Sequence, residues 1–137
     1  MIIDAKNKIL GRIATLAAKT ALLGETVHIL NCEEAVITGK KQSVLAHYQK
    51  RRERGYTRGP FITRLPDRFV KRTIRGMLSY KKPKGANALK KIRCYQGMPD
   101  KFKDQKTFDM PKSDISKLPN FQYVKVGELC KFLGGKQ

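Results

Sequence analysis

The sequence contains no tryptophan, only two histidines and three cysteines, and 11 acidic residues against 30 lysines and arginines. Its cysteines, Cys32, Cys94 and Cys130, lie far apart without a C-x-x-C pair, so neither a disulfide framework nor a zinc ribbon is suggested. No run approaches the roughly 18 to 20 apolar residues that cross a bilayer, and Asp4 interrupts the apolar start, unlike a signal peptide. We expect a cytoplasmic protein without a membrane partner, whose cysteines are small, buried hydrophobic thiols.

Residues that could support catalysis or metal binding are scarce. His28 and His47 have no metal-ligand spacing with each other or with a cysteine, so packing or solvent contact explains them better. Cys32 precedes two glutamates, but no local base accompanies them, and a turn carrying two solvated acids explains them equally well. Gly39 and Lys40 lack the rest of a P-loop. We expect no enzyme, no cofactor, no metal and no small-molecule substrate.

The chain does have a strong positive charge and enough apolar residues to fold. Its 137 residues carry a net charge of +19, and 40% of them are hydrophobic, which argues against a disordered basic tail. This length fits one domain, residues 1–137. A folded polycation repels itself and favours a polyanionic partner, so the composition predicts nucleic-acid binding.

The positive charge is concentrated in the middle of the chain. Residues 40–93 contain 18 bases and two acids, whereas residues 1–39 contain four of each and residues 94–137 contain eight bases and five acids. Nine of the ten arginines lie in this middle segment. Arginine presents a planar fork of donors that matches phosphate oxygens, so this concentration favours RNA or DNA contact over mere solubility.

The N-terminal pattern predicts a parallel sheet. Strand candidates at 1–3 and 26–30 flank a mostly buried helix over 10–23, which is the order of a right-handed βαβ unit. Further strand candidates lie at 35–38 and 92–96. The C-terminal third predicts an extended, surface-hugging arm, followed by a strand and a short helix. These C-terminal segments cover 97–120, 121–126 and 127–133 in turn.

Two basic helices are predicted in the middle segment. The first covers 41–54, and the second covers 67–78 with Asp67 as its N-cap. Opposite the apolar face of the second helix lies a stripe of four cations, Arg68, Lys71, Arg72 and Arg75. Between the helices, the Gly- and Pro-rich loop 55–66 interleaves arginines with Tyr56 and Phe61, although Phe61 alone is expected to anchor in the core. After them come a basic loop at 81–85 and a helix over 86–91.

Four blocks of the sequence resemble ribosomal protein L13 of the large subunit, in its archaeal and eukaryotic form. The blocks are IDAKNKILGRIATLAAK, NCEEAVITGKK, the long stretch from RGPFITRLPDRFVKRTIRGML to KKIRCYQG, and YVKVGELCKFLG. They occur in the family's order and cover nearly the whole chain. The resemblance implies a three-layer α/β/α domain with a mostly parallel sheet of about four strands. It also implies a structural role in binding large-subunit ribosomal RNA beside neighbouring ribosomal proteins.

The predicted RNA-contacting residues combine the resemblance with the charge pattern of residues 40–93. They are Lys40, Lys41, Lys50, Arg51, Arg52, Arg54, Arg58, Arg64, Arg68, Lys71, Arg72, Arg75, Lys81, Lys82 and Lys84. Two alternatives share the basic footprint: an RNA-modifying or RNA-cleaving enzyme, and a free DNA-packaging protein. The enzyme would sediment substoichiometrically with ribosome precursors, and the packaging protein would be recovered with chromosomal DNA.

Overall fold

A computed structural model describes residues 1–54, 59 and 61–135, and these residues form five strands and five helices. In chain order the elements are β1 (Ile2–Asp4), α1 (Leu10–Leu22), β2 (Val27–Leu30), β3 (Val36–Thr38), α2 (Lys41–Glu53), α3 (Pro66–Gly76), α4 (Pro83–Lys90), β4 (Ile92–Cys94), β5 (Tyr123–Lys125) and α5 (Val126–Phe132). The protein is therefore an α/β protein, as predicted. Over the described ranges, every helix is too short or too polar to pass through a lipid bilayer.

The main sheet has three parallel strands in the order β1-β2-β4. The register places Ile3 beside Ile29, and Ile29 beside Cys94. Helix α1 connects two neighbouring parallel strands, β1 and β2, which confirms the predicted strand–helix–strand unit.

The prediction of a fourth strand in the main sheet is wrong. Strand β3 instead pairs antiparallel with β5, 85 residues further along at Thr38 and Tyr123, and makes a separate two-stranded sheet. Asn31, with a φ of 52°, and the 3-10 turn Cys32–Glu34 redirect the chain after β2. Local sequence identifies such a strand but carries no information about its distant partner.

The core is formed by residues of both sheets and of helices α1, α3, α4 and α5. Helix α1 contributes mainly alanines, whose small side chains allow close packing, and α3 contributes Phe69, Val70 and Ile74. Each large aliphatic side chain buried here stabilises the fold by about 1.5 to 3 kcal/mol. Most of the core comes from residues 1–39 and 86–96, but Leu129 of α5 and Leu133, which follows the helix, are also fully buried.

Two helices begin at a proline. Helix α3 starts at Pro66, preceded by Leu65 as N-cap, so the prediction of Asp67 as N-cap is wrong. Helix α4 starts at Pro83, three residues before the predicted start, so the expected basic loop 81–85 is partly helical. Proline suits the first helical position because the amide hydrogen that it lacks has no partner there, and its φ is already helical.

Residues from the segment 97–120 contact the main sheet. The Phe102 ring is buried, with its centroid 4.9 Å from that of His28 and 5.5 Å from that of Tyr95. The backbone amide of Phe108 donates to the carbonyl of Ile2 at 2.7 Å. Three 3-10 turns lie in this segment, at Asp100–Phe102, Pro111–Ser113 and Ile115–Lys117.

The position of His28 predicts that the fold loses stability in acid. Burial, followed by the N-terminal ammonium, Arg93 and Lys101, lowers the pKa of His28 below its ordinary value of 6.5. The unfolded chain therefore binds a proton that the folded chain resists, so stability falls as pH drops below about 6.5. We expect the thermal unfolding midpoint to fall more between pH 7.5 and 5.5 in the wild type than in His28→Gln. Equal decreases in both proteins would contradict this role.

The cysteines behave largely as small hydrophobic side chains. Cys32 and Cys130 are buried and Cys94 is half-buried. Contact with Cys94, followed by burial, raises the pKa of the Cys32 thiol. Burial, followed by the charge of Asp67, raises the pKa of the Cys130 thiol to about 11. Both buried thiols are therefore protonated and unreactive at neutral pH.

Candidate nucleic-acid interface

Helix α2 lies on the surface and carries its charge outward. None of its residues is buried, and only Val44, Leu45 and Tyr48 form a half-buried face toward the core. The Tyr48 ring packs against Phe69 of α3, with the ring centroids 5.3 Å apart. This contact holds α2 beside α3. Four exposed cations, Lys50, Arg51, Arg52 and Arg54, occupy the last turn of α2 and the residue after it.

A cleft of about 400 Å³ between α2 and α3 brings three arginines together. Arg51 comes from α2, and Arg72 and Arg75 come from α3. Tyr48, Ile62, Phe69, Thr73, Gly76 and Tyr80 complete its walls. We call this site the arginine cleft. It brings Arg51 beside Arg72 and Arg75, which lie more than twenty residues further along the chain.

Aromatic and backbone contacts orient the guanidinium groups of the arginine cleft. The guanidinium carbon of Arg75 lies 5.0 Å from the ring centroid of Tyr80, and that of Arg51 lies 5.9 Å from the ring centroid of Tyr48. Arg72 donates from Nη1 to the carbonyl of Phe61 at 3.3 Å. Within the described part of the chain, no carboxylate pairs with these three arginines. Like charges held together without counter-charges attract an anion.

A second cleft, on the other side of α3, also collects cations. It has a volume of about 420 Å³, and Arg68 and Lys71 of α3 line it together with Arg93 of β4. Asp67, Cys94 and Tyr95 complete the lining. The predicted stripe of four cations on α3 is thus divided between two clefts, and Lys71 and Arg72 are half-buried rather than fully exposed. The division follows from α2 and β4 packing on opposite sides of the helix.

The remaining predicted residues lie outside these two clefts. Lys81, Lys82 and Lys84 are exposed at the start of α4, and Lys84 lines a groove with Lys19 of α1. Lys40 and Lys41 begin α2, and Lys41 forms an ion pair with Glu128 of α5. Arg64 is exposed. Arg58, like Tyr56, lies outside the described residues.

Sequence reasoning missed three residues at these sites. The predicted contact residues do not include Arg93, although strand alternation beside buried Ile92 places its side chain outward. Tyr80 and Tyr95 gave no signal, because their contacts depend on tertiary packing. The expected burial of Phe61 is wrong: its side chain is 67% exposed.

The candidate groups for catalysis and metal binding have structural explanations. The Glu33 carboxylate accepts the backbone amide of Gly97 at 3.0 and 3.1 Å, and Glu34 pairs with Lys125 at 3.8 Å. His28 is packed against Phe102, and His47 is exposed, as predicted. No group of three or more metal-ligating side chains occurs in residues 1–54, 59 and 61–135.

Comparisons with known proteins identify a single family. Residues 1–101 match the family described as Ribosomal protein L13. The chain is 42% identical over 137 residues to the large ribosomal subunit protein uL13 of Methanosarcina barkeri, covering 98% of each chain. It is 41% identical to the protein of the same name from Methanocaldococcus jannaschii, again covering 98% of each chain. The Haloarcula marismortui protein of that name is 39% identical, over 100% of this chain and 92% of that protein.

Proposed function

Because the chain belongs to the ribosomal protein L13 family, it is a structural constituent of the large ribosomal subunit, and we propose that its basic clefts hold folded ribosomal RNA. It is not an enzyme, and it works in the cytoplasm as part of the ribosome. Its partners are large-subunit ribosomal RNA and neighbouring ribosomal proteins. The alternatives of an RNA-processing enzyme and a DNA-packaging protein are therefore set aside.

The observation that carries the RNA-binding proposal is the arginine cleft. Arg51, Arg72 and Arg75 converge there, and aromatic rings and a carbonyl, rather than carboxylates, accompany them. A phosphate entering the cleft would relieve their mutual repulsion and accept bidentate hydrogen bonds. Burial raises the pKa of Tyr48, so its phenol stays neutral beside the bound anion.

The proposed contact surface extends over the basic segment around this cleft. We assign to it Lys40, Lys41, Lys50, Arg51, Arg52, Arg54, Arg58, Arg64, Arg68, Lys71, Arg72, Arg75, Lys81, Lys82 and Lys84, and we add Arg93. Phosphate contacts supply affinity but carry little sequence information. Side chains cannot read the deep major groove of an RNA helix, so specificity comes from RNA shape and from exposed loop residues such as Phe61.

We propose that residues 1–137 act as one domain with three layers, and that 97–120 is an extended arm. Support comes from Phe102 packing on His28, and from the Ile9 amide, which donates to the carbonyl of Ser113 at 2.8 Å. Such contacts tie the segment to the sheet and leave its outer side available to a neighbouring protein.

Salt dependence tests the RNA-binding proposal. If about eight cations contact phosphates, a plot of log affinity against log salt concentration has a slope of roughly −6 to −7. The measurement is a titration of the full chain against a folded large-subunit rRNA fragment at a series of KCl concentrations from about 50 to 400 mM. A slope near −1 would contradict the proposal, because it corresponds to a single phosphate contact.

A further inference from the structure

Two aromatic side chains stand exposed where β5 begins. Phe121 is 77% exposed and Tyr123 is 37% exposed, whereas Val124 is fully buried. Phe121 lies two residues before Tyr123, the first residue of β5, and the two side chains line one cavity. Large aromatic side chains exposed side by side favour a partner that covers them.

Lysines border these rings. Residues Lys40, Lys41 and Gln42, at the start of α2, line a cavity of about 380 Å³ with Phe121, Gln122 and Tyr123. The pairing of Thr38 with Tyr123, and a 2.9 Å hydrogen bond from the Gly39 amide to the Gln122 carbonyl, hold the two segments together. We call this site the Phe121 platform. Its position is fixed by backbone contacts, so the rings and the lysines face one partner.

The charge of the Phe121 platform is positive. Lys41 is partly neutralised by Glu128, but Lys40 forms no ion pair within the part of the chain that the structure describes. A lysine beside an exposed ring is the combination that binds single-stranded nucleic acid. The ring stacks on the base, and the ammonium group contacts the phosphate.

We propose that the Phe121 platform stacks an unpaired base of single-stranded RNA, with Lys40 and Lys41 on the adjoining phosphates. This inference rests on the proposed function, because it assigns a second subsite of the same RNA-binding surface. Lys41 and Arg51 lie ten residues apart on α2, which corresponds to about 15 Å along the helix. The platform and the arginine cleft therefore lie at opposite ends of α2, within reach of one RNA loop.

Substitutions at Phe121 separate stacking from apolar burial. Phe121→Leu keeps an apolar side chain but removes the aromatic face, whereas Phe121→Trp keeps the face. The probes are octamers of oligoadenylate and of an abasic ribose-phosphate chain with equal charge. We expect the wild type and Phe121→Trp to bind oligoadenylate about five- to a hundredfold more tightly than the abasic chain, and Phe121→Leu to lose most of this preference.

Fluorescence gives a direct signal of stacking. The wild-type sequence has no tryptophan, so Phe121→Trp introduces a single reporter. Oligoadenylate should quench its emission, and the abasic octamer should not. Because the Phe121 side chain is mostly exposed, all these variants should unfold thermally within a few degrees of the wild type.

The outcomes distinguish this inference from the proposal on which it rests. If Phe121→Leu keeps the preference for oligoadenylate over the abasic chain, the proposed stacking at the Phe121 platform is wrong. This holds even if removal of the three cleft arginines weakens binding of both octamers. If Phe121→Leu keeps the preference for oligoadenylate but is incorporated poorly into large subunits, the stacking proposal is also wrong. The exposed aromatic face then contacts a neighbouring protein. If removal of the cleft arginines weakens binding neither of the octamers nor of a folded large-subunit rRNA fragment, the proposed RNA-binding role of the arginine cleft fails instead.

Discussion

Simultaneous replacement of Arg51, Arg72 and Arg75 by Gln should lower the affinity for a large-subunit rRNA fragment about a hundredfold or more at low salt. All three side chains line one cleft that has no carboxylate among its lining residues. Each lost charge-assisted contact costs about 1 kcal/mol or more, and every 1.4 kcal/mol is tenfold in affinity. The salt slope should also shrink in magnitude by about 2 to 3. Filter binding or anisotropy across a salt series measures both quantities.

Two matched variants show whether the loss of RNA affinity depends on the position of the arginines or only on the total charge removed. Lys101, Lys106 and Lys117 are exposed in the 97–120 segment, and replacing them with Gln removes the same total charge. We expect a clearly smaller loss of affinity from this control. Replacing the three cleft arginines with Lys keeps the charge but removes the planar forks, so an intermediate loss is expected. Equal losses in the Gln variant and the control would refute a specific arginine cleft.

Gly85→Ala is expected to destabilise the fold by about 3 kcal/mol, at the upper end of the usual effect of overpacking. A Cβ atom on Gly85 would lie 2.2 Å from the Ser79 carbonyl oxygen and 2.4 Å from its carbon. These are backbone atoms that cannot rotate away, so α4 would have to move off the turn before it. That movement disturbs Ala88, which is buried in the core. Urea unfolding followed by circular dichroism measures the loss.

Gly76→Ala is the matched control for this backbone clash. Gly76 is the last residue of α3, and a Cβ atom there would meet no atom within 4 Å. Alanine loses less backbone entropy on folding than glycine, so this variant should be up to about 1 kcal/mol more stable than the wild type. If both variants were destabilised alike, close packing of Gly85 against Ser79 would not be the cause.

The elements that the sequence predicted best are those with a strong local pattern. Helix α1 begins and ends within one residue of its predicted bounds, and α3 shows the expected apolar face of Phe69, Val70 and Ile74. Helix starts were less predictable. Asp67 and Pro66 both carry N-terminal signals, and the choice between them depends on the geometry of the preceding loop.

Contacts between distant segments were not predictable. The sequence indicated a strand at β3 but not its pairing with β5, because many partners have similar propensities. It also grouped Arg68 with Arg72 and Arg75 on one helix face. Packing of α2 against α3 through Tyr48 and Phe69 replaces Arg68 with Arg51 in the cleft.

The amino-acid sequence by itself determined the positive charge of the middle segment, the types of most elements and the resemblance to a ribosomal protein family. These properties depend on composition and on periodicities a few residues long. Only the tertiary structure decided which cations share a cleft and that Phe121 stands beside Lys40. The reason is physical: such neighbours are set by how helices and strands pack across dozens of residues, and no local pattern encodes that packing.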